Sequence, residues 1–182
     1  MSQVDLKIDY CSYEAAKYAV EHWHYSKCLP GAGSIKFGVW ENDVFIGCVI
    51  YSRGANKNIN RPYGLDSNEV CELARVALNK HKSNVSQIVS YTIRKIKKDF
   101  KNMKLIVSYA DSDKGHIGKI YQAMNFIYEG LFAKESGIIV NGKLTHRRSV
   151  NSKYGTSSLE ILKKKFHLNN LAVITGGESI NI

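Results

Sequence analysis

The chain has 182 residues, 44% hydrophobic and 10% aromatic, with a formal net charge of +10 at pH 7. This composition suits one folded domain with a core of its own and excludes a disordered chain. No apolar run reaches the ~18 residues of a membrane span and no signal-peptide core opens the sequence, so a cytoplasmic protein with no membrane partner is expected.

In chain order, Val4, Leu6 and Ile8 alternate with polar residues and predict a first strand. Ser12 is placed to cap a helix whose apolar face is Ala15, Ala16, Ala19, Val20 and Trp23, ending near Tyr25. A Gly-Ala-Gly loop follows, then strands at Ile35–Trp40 and Val44–Tyr51 around a turn at Glu41-Asn42-Asp43. Ser52 to Asn68 is rich in Gly, Asn and Arg and predicts a long loop near a site. Val70–Leu78 is a strand. The next helix carries Val85, Val89, Thr92, Ile93, Ile96 and Phe100 on one face, with Ser83 or Ser86 as cap.

Leu105–Tyr109 predicts a buried strand leading to Asp111, then a short helix from about Gly115 to Asn125 and a strand start at Phe126–Tyr128. Ile138–Val140 and Lys143–Arg147 flank Asn141-Gly142 as a hairpin. Ser157 and Glu160 form a capping box for a last helix that turns Leu159, Leu162 and Phe166 inward, and the tail from about 175 to 182 is expected to be loose. The order of strands and helices implies an α/β fold in one domain, 1–182, with a mixed sheet flanked by helices.

The positive charge is uneven. Arg94, Lys95, Lys97, Lys98, Lys101 and Lys104 form one cluster, and Arg147, Arg148, Lys153, Lys163, Lys164 and Lys165 another. Two clusters of one sign, without an amphipathic membrane-surface helix, make nucleic acid the expected polyanion, with Lys95, Lys98, Arg147, Arg148, Lys163 and Lys164 as backbone contacts. Cys11, Cys28, Cys48 and Cys71 form no CxxC pair and read as reduced, mostly buried small hydrophobes.

Several motifs point further. The element order, with a strand–helix–strand unit at Leu105–Gly130 that contains IYQAMNFIYEG, resembles the GNAT acyltransferase fold. The segments HWHYSKCLP, FGVWENDVFIGCVIYSRGA, ELARVALN and VSYADSDKGHIGKIYQAMNFIYEG, in that order, resemble the Mom family of phage DNA-modification proteins. That resemblance implies a GNAT-like fold and transfer of a carbamoylmethyl, glycinamide-like group to the exocyclic amine of adenine in double-stranded DNA, shielding phage DNA from restriction. A phage-encoded chain would work in the host cytoplasm. By motif match the family's functional positions fall on His24, Tyr25, Arg75, Ser86, Asp111 and Tyr121.

The residue chemistry agrees with such a reaction. Asp111, at the end of a buried strand, is placed to bind the amine or take its proton, and Tyr121 to protonate a leaving group. His24 is a candidate base, DNA contact or metal ligand, and Tyr25 stands beside it. Arg75, on an apolar strand, needs an acid such as Glu72 or an anionic substrate. Ser108, His116 and Arg53 complete the candidate substrate- or donor-binding set. His24 and His116 are candidate metal ligands, and with Asp111 they would suit iron or zinc.

The donor is open: acetyl-CoA or another acyl or glycyl-type donor. Asn79 to Asn84 lacks the glycine-rich pyrophosphate loop of ordinary acetyltransferases, leaving Lys80, Lys82 and the helix amides as phosphate contacts. Two rival readings are an acetyl-CoA-dependent N-acetyltransferase for a protein or small-molecule amine and a non-catalytic nucleic-acid-binding module. Homodimerisation is compatible with all three.

Overall fold

The computed structural model describes residues 4–31, 33–54, 58–110, 119–133, 137–140, 143–166, 172–174 and 178–181. Of 131–133, 137, 143–144, 146–148, 172–174 and 178–181 it describes the main chain alone. Contacts divide the chain into two compact units, Met1–Tyr109 with Gly118–Tyr128 and Ile182, and Ala110–Ile117 with Glu129–Asn181.

The first unit contains β1 (Leu6–Tyr10), α1 (Tyr13–Trp23), β2 (Ile35–Glu41), β3 (Val44–Ser52), a 3-10 turn at Arg61–Tyr63, β4 (Val70–Leu78), α2 (Val85–Asp99), β5 (Leu105–Val107) and α3 (Lys119–Gln122). Between β5 and α3 lies the two-residue strand β6 (Tyr109–Ala110). The sheet order is β1-β2-β3-β4-β5, antiparallel except for the parallel β4–β5 pair. Strand alternation sorts side chains onto two buried faces. Phe37, Val39, Val49, Tyr51 and Leu73 meet Ile88, Val89 and Ile96 of α2. Cys48, Ile50 and Ala77 meet Ala16, Ala19 and Val20 of α1.

Local chemistry accounts for the element ends. Ser12 Oγ accepts the Ala15 N–H at 3.1 Å and starts α1 as its sequence implies. Asn42 and Asp43 both have positive φ, 50° and 63°, as a two-residue hairpin turn between β2 and β3 requires. The one polar side chain on the buried face of α2, Thr92, exchanges a 2.7 Å hydrogen bond with the Tyr51 hydroxyl and donates to the Val89 carbonyl.

Two register slips shape the sheet. Val39 pairs with Gly47 but Trp40 with Phe45, so Ile46 is an extra residue and Gly47 takes φ 143°. A Cβ on Gly47 would lie 2.0 Å from the Ala77 carbonyl oxygen. Ile50 pairs with Arg75 but Tyr51 with Leu73, which leaves Ala74 without a partner on β3. Its carbonyl accepts the Arg75 guanidinium at 2.6 Å instead. β4 and β5 then pair only from Val70–Leu105 to Glu72–Val107 and diverge beyond.

Several expectations are corrected. The N-cap of α2 is Asn84, with no side-chain cap bond, and neither Ser83 nor Ser86 fills that role: the Ser83 hydroxyl is turned to Glu41 and Ser86 already lies in the first turn. The strand expected at Leu105–Tyr109 breaks at Ser108, whose hydroxyl donates to the Leu73 carbonyl at 3.1 Å. Phe126–Tyr128 is not a strand: it follows Asn125, at φ 56°, and Ile127 and Tyr128 are exposed. Cys48 and Cys71 are buried, but Cys28 is exposed and Cys11 only half-buried, and all four are free.

The second unit contains β7 (Gly130–Ala133), β8 (Gly137–Val140), β9 (Lys143–His146), α4 (Arg147–Tyr154), α5 (Leu159–Phe166), β10 (Ala172–Ile174) and β11 (Glu178–Asn181). β8 pairs antiparallel with β9 and with β10, so the expected hairpin forms, its Asn141-Gly142 turn lying outside the described residues. Ile138, Val140, Val150 and Leu162 form its core. Arg147 opens a helix rather than ending a strand. At the start of α5, Thr156 Oγ1 accepts the Ser158 N–H, while Glu160 pairs with Lys164 at 2.8 Å instead of closing a box with Ser157. Glu178–Asn181, expected to be loose, pair with β7 through main-chain bonds that side-chain pattern does not encode.

Candidate functional site

The place where β4 and β5 part company gathers most of the described candidate residues. Ser108, fully buried, follows the last paired residue of β5 and ties it to β4 through the Leu73 carbonyl. Tyr121, on α3, packs half-buried against the α2-side core and stacks obliquely on Phe126 at 5.6 Å. Burial pushes the Tyr121 phenol above its ordinary value of 10.0, the charges of Tyr25 and Glu72 add to this, and a hydrogen bond with Ser108 works the other way. A phenol in that state keeps its proton at neutral pH and is available as a donor.

His24 ends α1: its φ of −105° and ψ of 137° are extended, and its N–H closes the last helical bond onto Val20. The extended geometry turns its ring inward, where it is 8% exposed. The Ser26 N–H donates to Nδ1 at 3.1 Å, and the Ser26 hydroxyl lies 2.8 Å from the same nitrogen. A donor on Nδ1 assigns the neutral ring with its proton on Nε2. Tyr25, exposed, lies against this ring at 4.4 Å between centroids. Arg75 donates from Nε to the Cys28 carbonyl at 3.2 Å, and so clamps the loop after α1 to the irregular stretch of β4. What the guanidinium meets is therefore main-chain carbonyl oxygen, where an acid such as Glu72 is the sequence-based expectation.

Glu72 is the residue that sequence reasoning undervalues. It carries the last β4–β5 pair, is half-buried, and is one of the two charges acting on Tyr121. The signal was available, since an ionisable side chain in the strand ELARVAL needs a reason to be there. Asp111 and His116 lie outside the described residues. Among the described residues no three His, Cys, Asp or Glu side chains are grouped to hold a metal ion. Ser86 is apart from this gathering, in the first turn of α2.

Arg53, exposed just past β3, borders a cavity of about 520 Å³ with Lys101, Asn68 and Asn102 on its rim and Tyr51 and Cys71 in its lining. Of the expected DNA contacts, Lys98 and Lys163 are exposed, whereas Lys95 pairs with Asp9 at 3.1 Å and Lys164 with Glu160. The side chains of Arg147 and Arg148 are outside the described residues. No helix among the described residues is long and apolar enough to cross a membrane.

At the other end of the sheet, Glu41 closes β2 with a side chain only 6% exposed. Its carboxylate accepts the Lys82 N–H at 2.9 and 3.1 Å and the Ser83 N–H at 2.7 Å. Burial alone would raise its pKa, but these amide bonds outweigh it and hold the carboxyl below its ordinary 4.5. A depressed folded value means the contribution to stability is fully present above 4.5 and is lost as pH falls through the lower folded value. We therefore expect Glu41→Gln to be less stable than the parent at neutral pH by about 1.5–3 kcal/mol, with the gap narrowing toward pH ~3 in urea titrations. A gap that is constant or widens on acidification would refute the assignment.

Comparison with known proteins follows the same lines. An acetyltransferase of Bacillus subtilis, described as a complex with CoA, superimposes with a TM-score of 0.53 over 98% of this chain and 96% of its own, at 12% identity, and shows the fold alone. The protein shares its α/β, GNAT-like architecture. A methylcarbamoylase, mom of Escherichia phage Mu, is 25% identical over 130 residues. The match takes in 69% of this chain and 54% of the phage Mu protein, so the chain spans about half the length of that relative. The Mom protein family model matches residues 5–178, and the chain belongs to that family.

Proposed function

We propose that the chain is a DNA-modifying transferase that places a carbamoylmethyl-type group on the exocyclic amine of adenine, and so protects phage DNA from restriction. The observation that carries this reading is the proton-retaining Tyr121 phenol beside Ser108 and Glu72 where the β4–β5 ladder ends. The amine of adenine is a weak nucleophile because its lone pair is delocalised into the ring. It is also paired within the duplex, so the base must first leave the stack at a cost of a few kcal/mol. The N–C bond to the transferred group then forms as the bond to the carrier breaks. The amine proton passes to a base, for which Asp111 or Glu72 is the candidate, while His24, its Nδ1 held by the Ser26 N–H, lines the site as a neutral ring. The departing carrier takes the Tyr121 proton.

Arg75 holds the His24–Cys28 loop in register with β4, a positioning role that supports the reaction through geometry. The charge of +10, the exposed Lys98 and Lys163, and Arg53 with Lys101 at the rim of their cavity favour phosphate backbone as partner. A small-molecule donor is the second substrate, and cytoplasm is the compartment where such a reaction would meet DNA. The acetyl-CoA reading draws support from the fold similarity, and no described feature singles out a protein or small-molecule amine as acceptor.

The direct test is nucleoside mass spectrometry on plasmid DNA from cells expressing the chain. The expected result is a nonstandard deoxyadenosine whose added mass is that of a carbamoylmethyl group. Unaltered nucleosides from cells rich in the folded protein would remove the proposal.

A further inference from the structure

We infer that Glu41 seals the main-chain amides leading into α2, so that the donor is not anchored there by a diphosphate and its carrier belongs to a class that has none seated on this loop. The inference rests on the donor-dependent transfer proposed above and narrows the donor. A strand-to-helix step with free N–H groups is an anion site, because the amides and the helix dipole both favour negative charge. β4, the loop 79–84 and α2 make such a step, but the chain supplies its own anion. Both Glu41 oxygens are engaged, Oε1 with Lys82 and Ser83 and Oε2 with Lys82.

The position of that carboxylate is fixed. Glu41 is the last residue of β2, bonded in register to Val44 across the two-residue turn, so the hairpin sets where its short, buried side chain ends. Asn84 gives the helix no side-chain cap, which leaves Glu41 as the acceptor organising the approach to α2. A diphosphate aimed at the same amides would meet a deprotonated carboxylate already holding them, and like charges at such separations repel strongly where water is scarce. Lys80, His81 and Lys82 are exposed, so phosphate can meet these side chains at the surface but not the Lys82 and Ser83 amides, which Glu41 holds. The geometry does not fit coenzyme A bound by its diphosphate on these amides.

The experiment titrates the purified full chain, Glu41→Gln and Glu41→Ala with inorganic pyrophosphate and with CoA, by calorimetry and by hydrogen exchange at residues 82–87. The parent is expected to show no ligand-dependent slowing of exchange in that segment. Glu41→Gln, which keeps the shape and one acceptor oxygen but drops the charge, is expected to bind pyrophosphate at least about tenfold more tightly than the parent. Slowed exchange in the parent with either ligand would overturn the inference, as would equal pyrophosphate affinity in parent and Glu41→Gln. If Glu41→Ala fails to fold, the glutamine variant and the parent's exchange pattern still decide. No DNA is present, so this outcome is separate from whether DNA is modified.

Discussion

Tyr121→Phe is expected to bind DNA as the parent does while its modification rate falls by about 10²–10⁴-fold, the usual yield of a positioned general acid. The substitution removes one oxygen. The ring keeps its contact with Phe126 and its place against the α2-side core, and Ser108 loses the phenol but keeps its bond to the Leu73 carbonyl, so the fold should be retained. What disappears is a proton that burial, with Tyr25 and Glu72, retains above the ordinary 10.0 of a phenol. Any alkaline limb of the rate profile due to this residue therefore lies above pH 10.0. The checks are modified-nucleoside yield per unit time and oligonucleotide binding by gel shift, on one preparation. A phenylalanine variant that modifies DNA fully would exclude Tyr121 as the proton donor.

Gly47→Ala should be the most damaging single-methyl change in the first unit, costing about 3 kcal/mol or more, or preventing folding. Two effects coincide. Gly47 sits at φ 143°, a backbone state that side chains rarely adopt, and the new Cβ would be 2.0 Å from the Ala77 oxygen and 2.9 Å from Ala77 C and Leu78 Cα. All three are main-chain atoms of a central strand, so no side chain can swing aside to relieve the clash. Gly64→Ala is the comparison: it is also left-handed, at φ 61°, but has nothing within 4 Å of the added carbon. It should lose only about 1–2 kcal/mol. Urea unfolding of both variants settles the matter, and similar losses would mean that β3 and β4 separate more easily than their pairing implies.

Much of the first unit was legible in the sequence, because its period-two and helical patterns are strong. Val70–Leu78 is a strand end to end, and Ser12 caps α1 through its hydroxyl. Legibility failed where tertiary partners override local preference. Ser83 looks like a cap, yet a carboxylate 42 positions away takes its hydroxyl as well as its N–H. Phe126–Tyr128 looks like a strand, but it follows a left-handed Asn125 and leaves Ile127 80% exposed. At the candidate site the motifs named the residue types, and His24, Tyr25, Arg75, Ser108 and Tyr121 do fall in the first unit about the loop after α1 and the divergence of β4 and β5. What the motifs left out was Arg75's choice of carbonyl partners, which depends on Ala74 being skipped by β3, a register event that no side-chain pattern records.

That skipped residue also sets which sequence lengths are tolerated. Because Ala74 is one residue too many, Leu73 turns toward α2 while Arg75 takes the register of Ile50, on the α1 side. Removing one codon there would not merely shorten the strand. Removing Ala74 would close the ladder with Leu73 and Arg75 still on their faces, but it would take away the skipped residue whose carbonyl holds the guanidinium. Insertions in the long 53–69 connection should be absorbed with little penalty, growing only with the logarithm of loop length. Length variation among working versions of this chain should therefore collect in that connection and be missing from the middle of β4.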